Sequence, residues 1–178
     1  MRIVVVSGTS GSGKSSALNQ LEDLGYYCVD NLPIALVSFL VEYFARQTQG
    51  THQGLAICID IRTADAGVTD FRDYLKTLGQ GLELQLIFFD ATPQALSKRF
   101  NETRRRHPLS KSGHSLGDAI ALERELLEPL ASAADLTVDT SELSPYQLRQ
   151  IITQRVDGSS NSSLSIQVLS FGFNKGAP

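Results

Sequence analysis

Eight residues near the start of the chain, Gly8-Thr9-Ser10-Gly11-Ser12-Gly13-Lys14-Ser15, fit the pattern G-x-x-x-x-G-K-[ST]. They lie between an apolar run, Arg2 to Ser7, and a segment of helical period from about Ser15 to Leu24 that stops at Gly25. A strand, a tight loop and a helix in that order form the one setting in which this pattern works. The glycines let the loop turn its backbone N–H groups inward onto phosphate oxygens, where a Cβ at Gly8 or Gly13 would obstruct the path. Lys14 supplies a point charge for the β- and γ-phosphates, the Ser15 hydroxyl is a ligand for Mg²⁺, and the helix N-terminus adds its dipole. The alternative, a flexible Gly/Ser turn, needs the spacing, the Lys-Ser pair and the preceding strand to coincide by accident. Gly8, Thr9, Ser10, Gly11, Ser12, Gly13, Lys14 and Ser15 are therefore the candidate phosphate contacts, with Lys14 also a candidate catalytic group.

The remaining chain repeats short apolar runs of strand length and longer helical segments, the sign of βα units around a parallel sheet. Further strands are expected at Tyr26 to Val29, Leu55 to Ile61, Leu84 to Phe89 and Leu136 to Asp139, with a sixth candidate at Leu164 to Phe171. Helices are expected from Pro33 onward, over Asp70 to Leu78, Pro93 to about Arg105 and Asp118 to Leu130, and from a capping-box start at Ser144-Pro145-Tyr146-Gln147 to about Arg155. His107 to Gly117 lacks periodicity and reads as a mobile loop. The expected fold class is α/β, a three-layer P-loop NTPase domain with a mainly parallel sheet, nucleotide-kinase-like and carrying an Arg-rich lid. This domain is expected over residues 1–156, with a Ser/Gly linker and an outgoing strand over residues 157–178.

With 178 residues, 42% of them hydrophobic and 20% charged, the chain is long and apolar enough to bury a core without staples, which excludes wholesale disorder, collagen and coiled coil. The net charge of -3 gives no global attraction to nucleic acid or an anionic membrane. The first apolar run, Ile3 to Val6, is far shorter than the roughly 18 residues of a membrane span or the core of a signal peptide, so the expected location is the cytoplasm. Cys28 and Cys58 lie in apolar stretches with no metal-ligand spacing and read as buried strand thiols.

Phosphoryl chemistry also needs a carboxylate at the end of a neighbouring strand. Asp60 follows the apolar run Leu55 to Ile59 and is the favoured candidate, as catalytic group and Mg²⁺ ligand; Asp30 is the next choice, as an acceptor-orienting group. Asp90, before Ala91-Thr92-Pro93, reads as a helix-start residue. Lys98, Arg99, Arg104, Arg105 and Arg106 bring five of the 16 basic residues into nine positions. They read as a lid closing on phosphates, with Arg104 and Arg105 as candidate catalytic groups, or as a patch for an RNA backbone. His107 and His114 read as loop surface.

Several blocks carry a more specific resemblance: GTSGSGKS at Gly8 to Ser15, YCVDNLP at Tyr27 to Pro33, DIRT at Asp60 to Thr63, ETRRRHPL at Glu102 to Leu109, ADLTVDTS at Ala134 to Ser141 and SFGF at Ser170 to Phe173. Together they resemble the bacterial RapZ/YvcJ nucleotide-binding proteins, also called RNase adapter proteins, over essentially the whole chain. The resemblance implies binding and slow hydrolysis of ATP and GTP with Mg²⁺, and a GTP-contacting segment at Asp60, Ile61, Arg62 and Thr63. It also implies RNA and a ribonuclease as partners, since some members present small RNAs controlling amino-sugar synthesis to a ribonuclease, and it implies assembly into homo-oligomers. Members continue past the SFGF block into a second domain associated with RNA and metabolite binding, whereas this sequence ends at Pro178.

Three functions fit these residues. A regulatory nucleotide-binding domain with weak NTPase activity leads, because phosphate-binding parts are legible and an acceptor pocket is not. A small-molecule or nucleotide kinase would use the same loop with Asp30, and would need a second substrate. An RNA-binding module tuned by nucleotide would show steep salt dependence through Arg104 to Arg106.

Overall fold

The computed structural model describes residues 1–46, 52–60, 74, 82–112 and 114–157. At its centre stands β1 (Arg2–Gly8), whose residues Ile3 to Val6 are fully buried. It pairs in parallel with β3 (Gly54–Cys58) on one side and β4 (Glu83–Asp90) on the other. β2 (Tyr26–Val29) and β5 (Leu136–Asp139) complete a five-stranded parallel sheet of order β2-β3-β1-β4-β5.

Alternating side chains of the central strands feed opposite faces, and both faces are covered, so these strands read as continuous apolar runs. Ile3, Val5, Leu55, Ile57, Leu86 and Phe88 pack with Val37 and Val41 of α2 (Val37–Ala45) and with Leu127 and Leu130 of α4 (Leu116–Ala133). Val4, Val6, Ala56, Ile87 and Phe89 pack with Leu18 and Leu21 of α1 (Lys14–Asp23) and with Leu148 and Ile152 of α5 (Pro145–Ile152). The three-layer parallel α/β fold expected from the sequence is thus the fold observed. A third small cluster, Ala91, Leu96 and Ile120, holds α3 (Pro93–Thr103) on α4. Each fully buried Ile or Leu in these layers stabilises by about 1.5–3 kcal/mol relative to exposure.

Boundaries shift where capping chemistry overrides periodicity. α4 starts at Leu116, ahead of the expected Asp118, because the Ser115 hydroxyl accepts the Asp118 N–H at 3.2 Å. α5 has the predicted capping box, with Ser144 and Gln147 exchanging side-chain bonds at 3.3 and 2.9 Å. β3 ends at Cys58, with the Ile59 N–H still donating to Val6 O at 2.9 Å, short of the expected end at Ile61. Pro108–Ser112 forms a 3₁₀ turn inside the stretch expected to be an unstructured loop. The helix expected at Asp70 to Leu78, apart from Tyr74, and the linker from Gly158 and strand at Leu164 to Phe171 lie outside the described residues. Among the described residues no helix is long and apolar enough to cross a membrane.

This strand order brings the carboxyl ends of β1, β3, β4 and β5 to one edge, with the Gly8–Ser15 loop at the middle of it. Crevices of that kind are where open parallel sheets bind ligands.

Candidate phosphate-binding site

Three glycines set the path of the loop. Gly8, Gly11 and Gly13 have φ of 144°, 87° and 103°, a region that L-residues with a Cβ seldom enter. At Gly8 space forbids a side chain as well, since a Cβ would lie 2.0 Å from the Phe89 carbonyl oxygen, whereas at Gly13 it would lie 2.9 Å from Leu148 Cδ2, the movable end of a side chain. Gly13 is also the residue before α1, so no side chain caps the helix. Three loop amides are occupied within the protein: Thr9 N–H donates to Phe89 O at 3.0 Å, Ser12 N–H to Thr9 O at 3.1 Å, and Ser10 N–H to Glu123 Oε2 at 2.9 Å. The N–H groups of Gly11, Gly13, Lys14 and Ser15 have no hydrogen-bond acceptor among the described residues. They are a cluster of donors at a helix N-terminus, the chemistry of an anion site. Lys14 Nζ folds over the loop and donates to Gly8 O at 2.7 Å and Thr9 O at 3.0 Å.

Three polar braces hold the loop from behind. The Thr9 hydroxyl donates to Asp90 Oδ1 at 3.0 Å, and Arg124 Nη2 reaches Asp90 Oδ2 at 2.9 Å. Asp90 therefore does not start a helix, as its sequence context suggested; Thr92 does, accepting the Ala95 N–H, while Asp90 ends β4 and ties α4 to the loop. Ser10 is gripped by Glu123 of α4, whose carboxylate is fully buried together with His107. His107 is 1% exposed, which corrects its reading as loop surface: the carboxylate draws the imidazole inside. Ser12 O accepts from the Thr140 hydroxyl at 2.8 Å, and Arg99 donates to Thr140 Oγ1 and to Gly11 O, both at 3.0 Å. At the end of β5, Asp139 Oδ1 accepts the Ser141 hydroxyl and N–H, at 2.6 and 2.8 Å, which hold this carboxyl below the usual range.

The loop opens on a cavity of about 610 Å³. Lys14, Ser15, Asp30 and Asp60 line it, together with Arg99, Arg105 and Arg106. Asp60 is 4% exposed, whereas Asp30 is exposed. The structure thus brings the two candidate carboxylates to the same cavity as the loop. Arg104 occupies the left-handed position that ends α3, with φ of 52°, and is not among the lining residues. Ile61, Arg62 and Thr63 lie outside the described residues. Ser15 and Asp60 offer the hard oxygen donors that Mg²⁺ prefers. Among the described residues no group of three or more His, Cys, Asp or Glu is arranged to hold a metal, so a cation fits this cavity only with phosphate and water oxygens completing its shell.

Cys58 is buried, as expected, whereas Cys28, also expected to be buried, is only half-buried. Burial pushes the Cys58 thiol up to about 12, with Lys14 opposing and Asp30 and Asp60 reinforcing, and pushes Cys28 up to about 11. At pH 8 both are expected to react with a disulfide reagent at least about 100-fold more slowly than an exposed thiol, and promptly once the chain is unfolded in urea. Stoichiometric labelling of the native chain within minutes is the contrary result.

The family described as the RapZ-like N-terminal domain matches residues 1–160. The chain belongs to this family. Among curated relatives, the "Nucleotide-binding protein" of Hahella chejuensis is 46% identical over 179 residues, covering 100% of this chain and 63% of the relative. That of Marinobacter nauticus is 48% identical over 180 residues, covering 100% of this chain and 61% of the relative. The chain thus spans about three-fifths of the length of these relatives. Among solved structures, shikimate kinase from Bacteroides thetaiotaomicron superposes with a TM-score of 0.58 at 14% identity, covering 87% of this chain and 98% of the kinase. At that identity the likeness extends to the fold: the RapZ-like N-terminal domain has the architecture of P-loop kinases.

Proposed function

We propose that this chain is a nucleotide-binding domain that takes up ATP or GTP with Mg²⁺ and hydrolyses it slowly. The observation that carries the reading is the set of acceptor-less amides at Gly11, Gly13, Lys14 and Ser15, beside the Lys14 ammonium, on a loop fixed by positive-φ glycines. The names of the Hahella and Marinobacter relatives support it. In this reading the amides and Lys14 hold the phosphate oxygens, and Ser15 and Asp60 hold the cation, which when bound neutralises phosphate charge. Arg105 and Arg106, at the cavity, balance charge that develops on the phosphate oxygens. Arg104 sets the turn from which they extend. Asp60 is the carboxylate placed to orient an attacking water, and the segment Ile61, Arg62 and Thr63 that follows it completes the contacts to GTP implied by the family resemblance. RNA binding, a ribonuclease partner, a cytoplasmic location and self-assembly are proposals for the longer protein, to which this domain would bring the exposed residues Arg104 to Arg106.

A kinase reading has one observation in its favour: the exposed carboxylate of Asp30 lines the same cavity, where it could orient an acceptor hydroxyl. Phosphate release separates the two. The purified chain is expected to form inorganic phosphate and nucleoside diphosphate in equal amounts from Mg-ATP and Mg-GTP with no acceptor present. Diphosphate formation that appears only when an acceptor is added overturns hydrolysis in favour of transfer.

A further inference from the structure

The buried pair Glu123 and His107 takes no part in the phosphate contacts described above, yet it lies between the loop and the basic segment. Glu123 Oε1 accepts the Ser10 hydroxyl at 2.6 Å, and Oε2 accepts both the Ser10 N–H at 2.9 Å and His107 Nε2 at 3.0 Å. His107 Nδ1 accepts the Leu109 N–H at 3.2 Å, so the ring proton is on Nε2 and His107 is the donor to the carboxylate. Both side chains are fully buried. A carboxylate without partners at such a site is strongly unfavourable, and here three donors converge on it. Its neighbours on the same face of α4 are Ala119 and Leu127, so an apolar residue would serve packing alone.

The grip has two consequences. Holding the Ser10 N–H on Glu123 turns that peptide away from the cavity and fixes the start of the segment whose next amides, from Gly11 onward, are left for an anion. His107 directly follows Arg105 and Arg106, and its ring packs on Phe100 with centroids 5.1 Å apart. Phe100 in turn stands where a Cβ on Gly11 would meet it at 3.5 Å. The loop and the two lining arginines are therefore anchored to the same carboxylate.

We propose that Glu123 is a positioning residue for the phosphate-binding loop and that His107 couples it to Arg105 and Arg106, so that nucleotide affinity depends on the two anchors jointly. The inference rests on the nucleotide-binding reading for its effect on affinity, but its structural core can be read without nucleotide. In Glu123→Leu no acceptor remains for the Ser10 N–H, and hydrogen exchange at the Ser10 amide is expected to speed up at least about ten-fold with the circular dichroism of the fold retained. Unchanged exchange overturns the proposal whether or not nucleotide binds.

Titration of the full 178-residue chain with Mg-ATP supplies the second arm. His107→Leu is expected to weaken binding about ten-fold or more, while His107→Gln, which keeps a donor for Glu123, stays within about three-fold of wild type. In a double-mutant cycle, His107→Leu with Arg105→Ala is expected to lose less than the product of the two single losses. If the Gln and Leu variants bind alike, or if the losses multiply, His107 is only a packing residue and the coupling is wrong. A wild-type chain that binds neither Mg-ATP nor Mg-GTP refutes the nucleotide reading, and the exchange result then stands on its own.

Discussion

Lys14→Ala is expected to release phosphate from Mg-ATP at least about 100-fold more slowly than the wild-type chain while folding normally. The ammonium of Lys14 is the cation contributed by the loop itself, and in the structure it is satisfied by the carbonyls of Gly8 and Thr9. The other lining cations come from α3 and the segment after it, and Arg99 is already committed to Thr140 and Gly11 O. Removing Lys14 therefore leaves Asp30 and Asp60 on the cavity wall without the point charge that offsets them nearest the open amides. Lys14→Arg is expected to fail almost as badly, because a planar guanidinium cannot replace a compact ammonium over two carbonyls. The cost to stability is small, about 1 kcal/mol, since the lost bonds join a half-buried group to carbonyls at the cavity edge. Comparing initial rates of phosphate release with melting temperatures checks both parts, and an alanine variant within ten-fold of wild type would remove Lys14 from the chemistry.

The largest stability effect is expected from Gly8→Ala, a loss of more than about 4 kcal/mol. The obstacle is backbone: the new Cβ would stand 2.0 Å from Phe89 O, which belongs to the neighbouring strand and accepts the Thr9 N–H. Relief requires β1 and β4 to separate at the pair Gly8 and Phe89, where the central ladder ends. Gly11→Ala is the informative contrast. Its Cβ would make ordinary contact with Phe100 Cε2 at 3.5 Å, leaving mainly the strain of φ near 87°, about 1 kcal/mol. Urea midpoints at constant slope measure both, and equal losses would contradict the assignment of the Gly8 effect to the Phe89 carbonyl.

What was legible in the sequence follows from how local each signal is. β1, the loop and β5 could be read because strand runs, glycines and a Lys-Ser pair speak within a few residues, and α5 because its capping box is complete between Ser144 and Gln147. Asp90 and His107 were misread for the opposite reason. Their partners, Thr9, Arg124 and Glu123, are supplied by distant elements, and the local context of each, a Pro-containing helix start and a basic loop, pointed elsewhere. Arg99 was counted as lid charge, but it braces Thr140, a residue of the ADLTVDTS block to which no individual role had been assigned. Glu123 did leave a trace: it interrupts the apolar stripe of Ala119, Ile120, Leu127 and Leu130, and a carboxylate on such a stripe must find donors inside the fold.

The three braces behind the loop also bear on the order of assembly. They span 81 residues from Thr9 to Asp90, 113 from Ser10 to Glu123 and 128 from Ser12 to Thr140. A nascent chain that has emerged only as far as α2 already carries the whole Gly8–Ser15 motif and its glycines, but none of the three distant partners that brace it. The site becomes competent only after Thr140 has left the ribosome and β4, α4 and β5 have docked, so capture of a nucleotide would report that the whole domain has closed around its first strand.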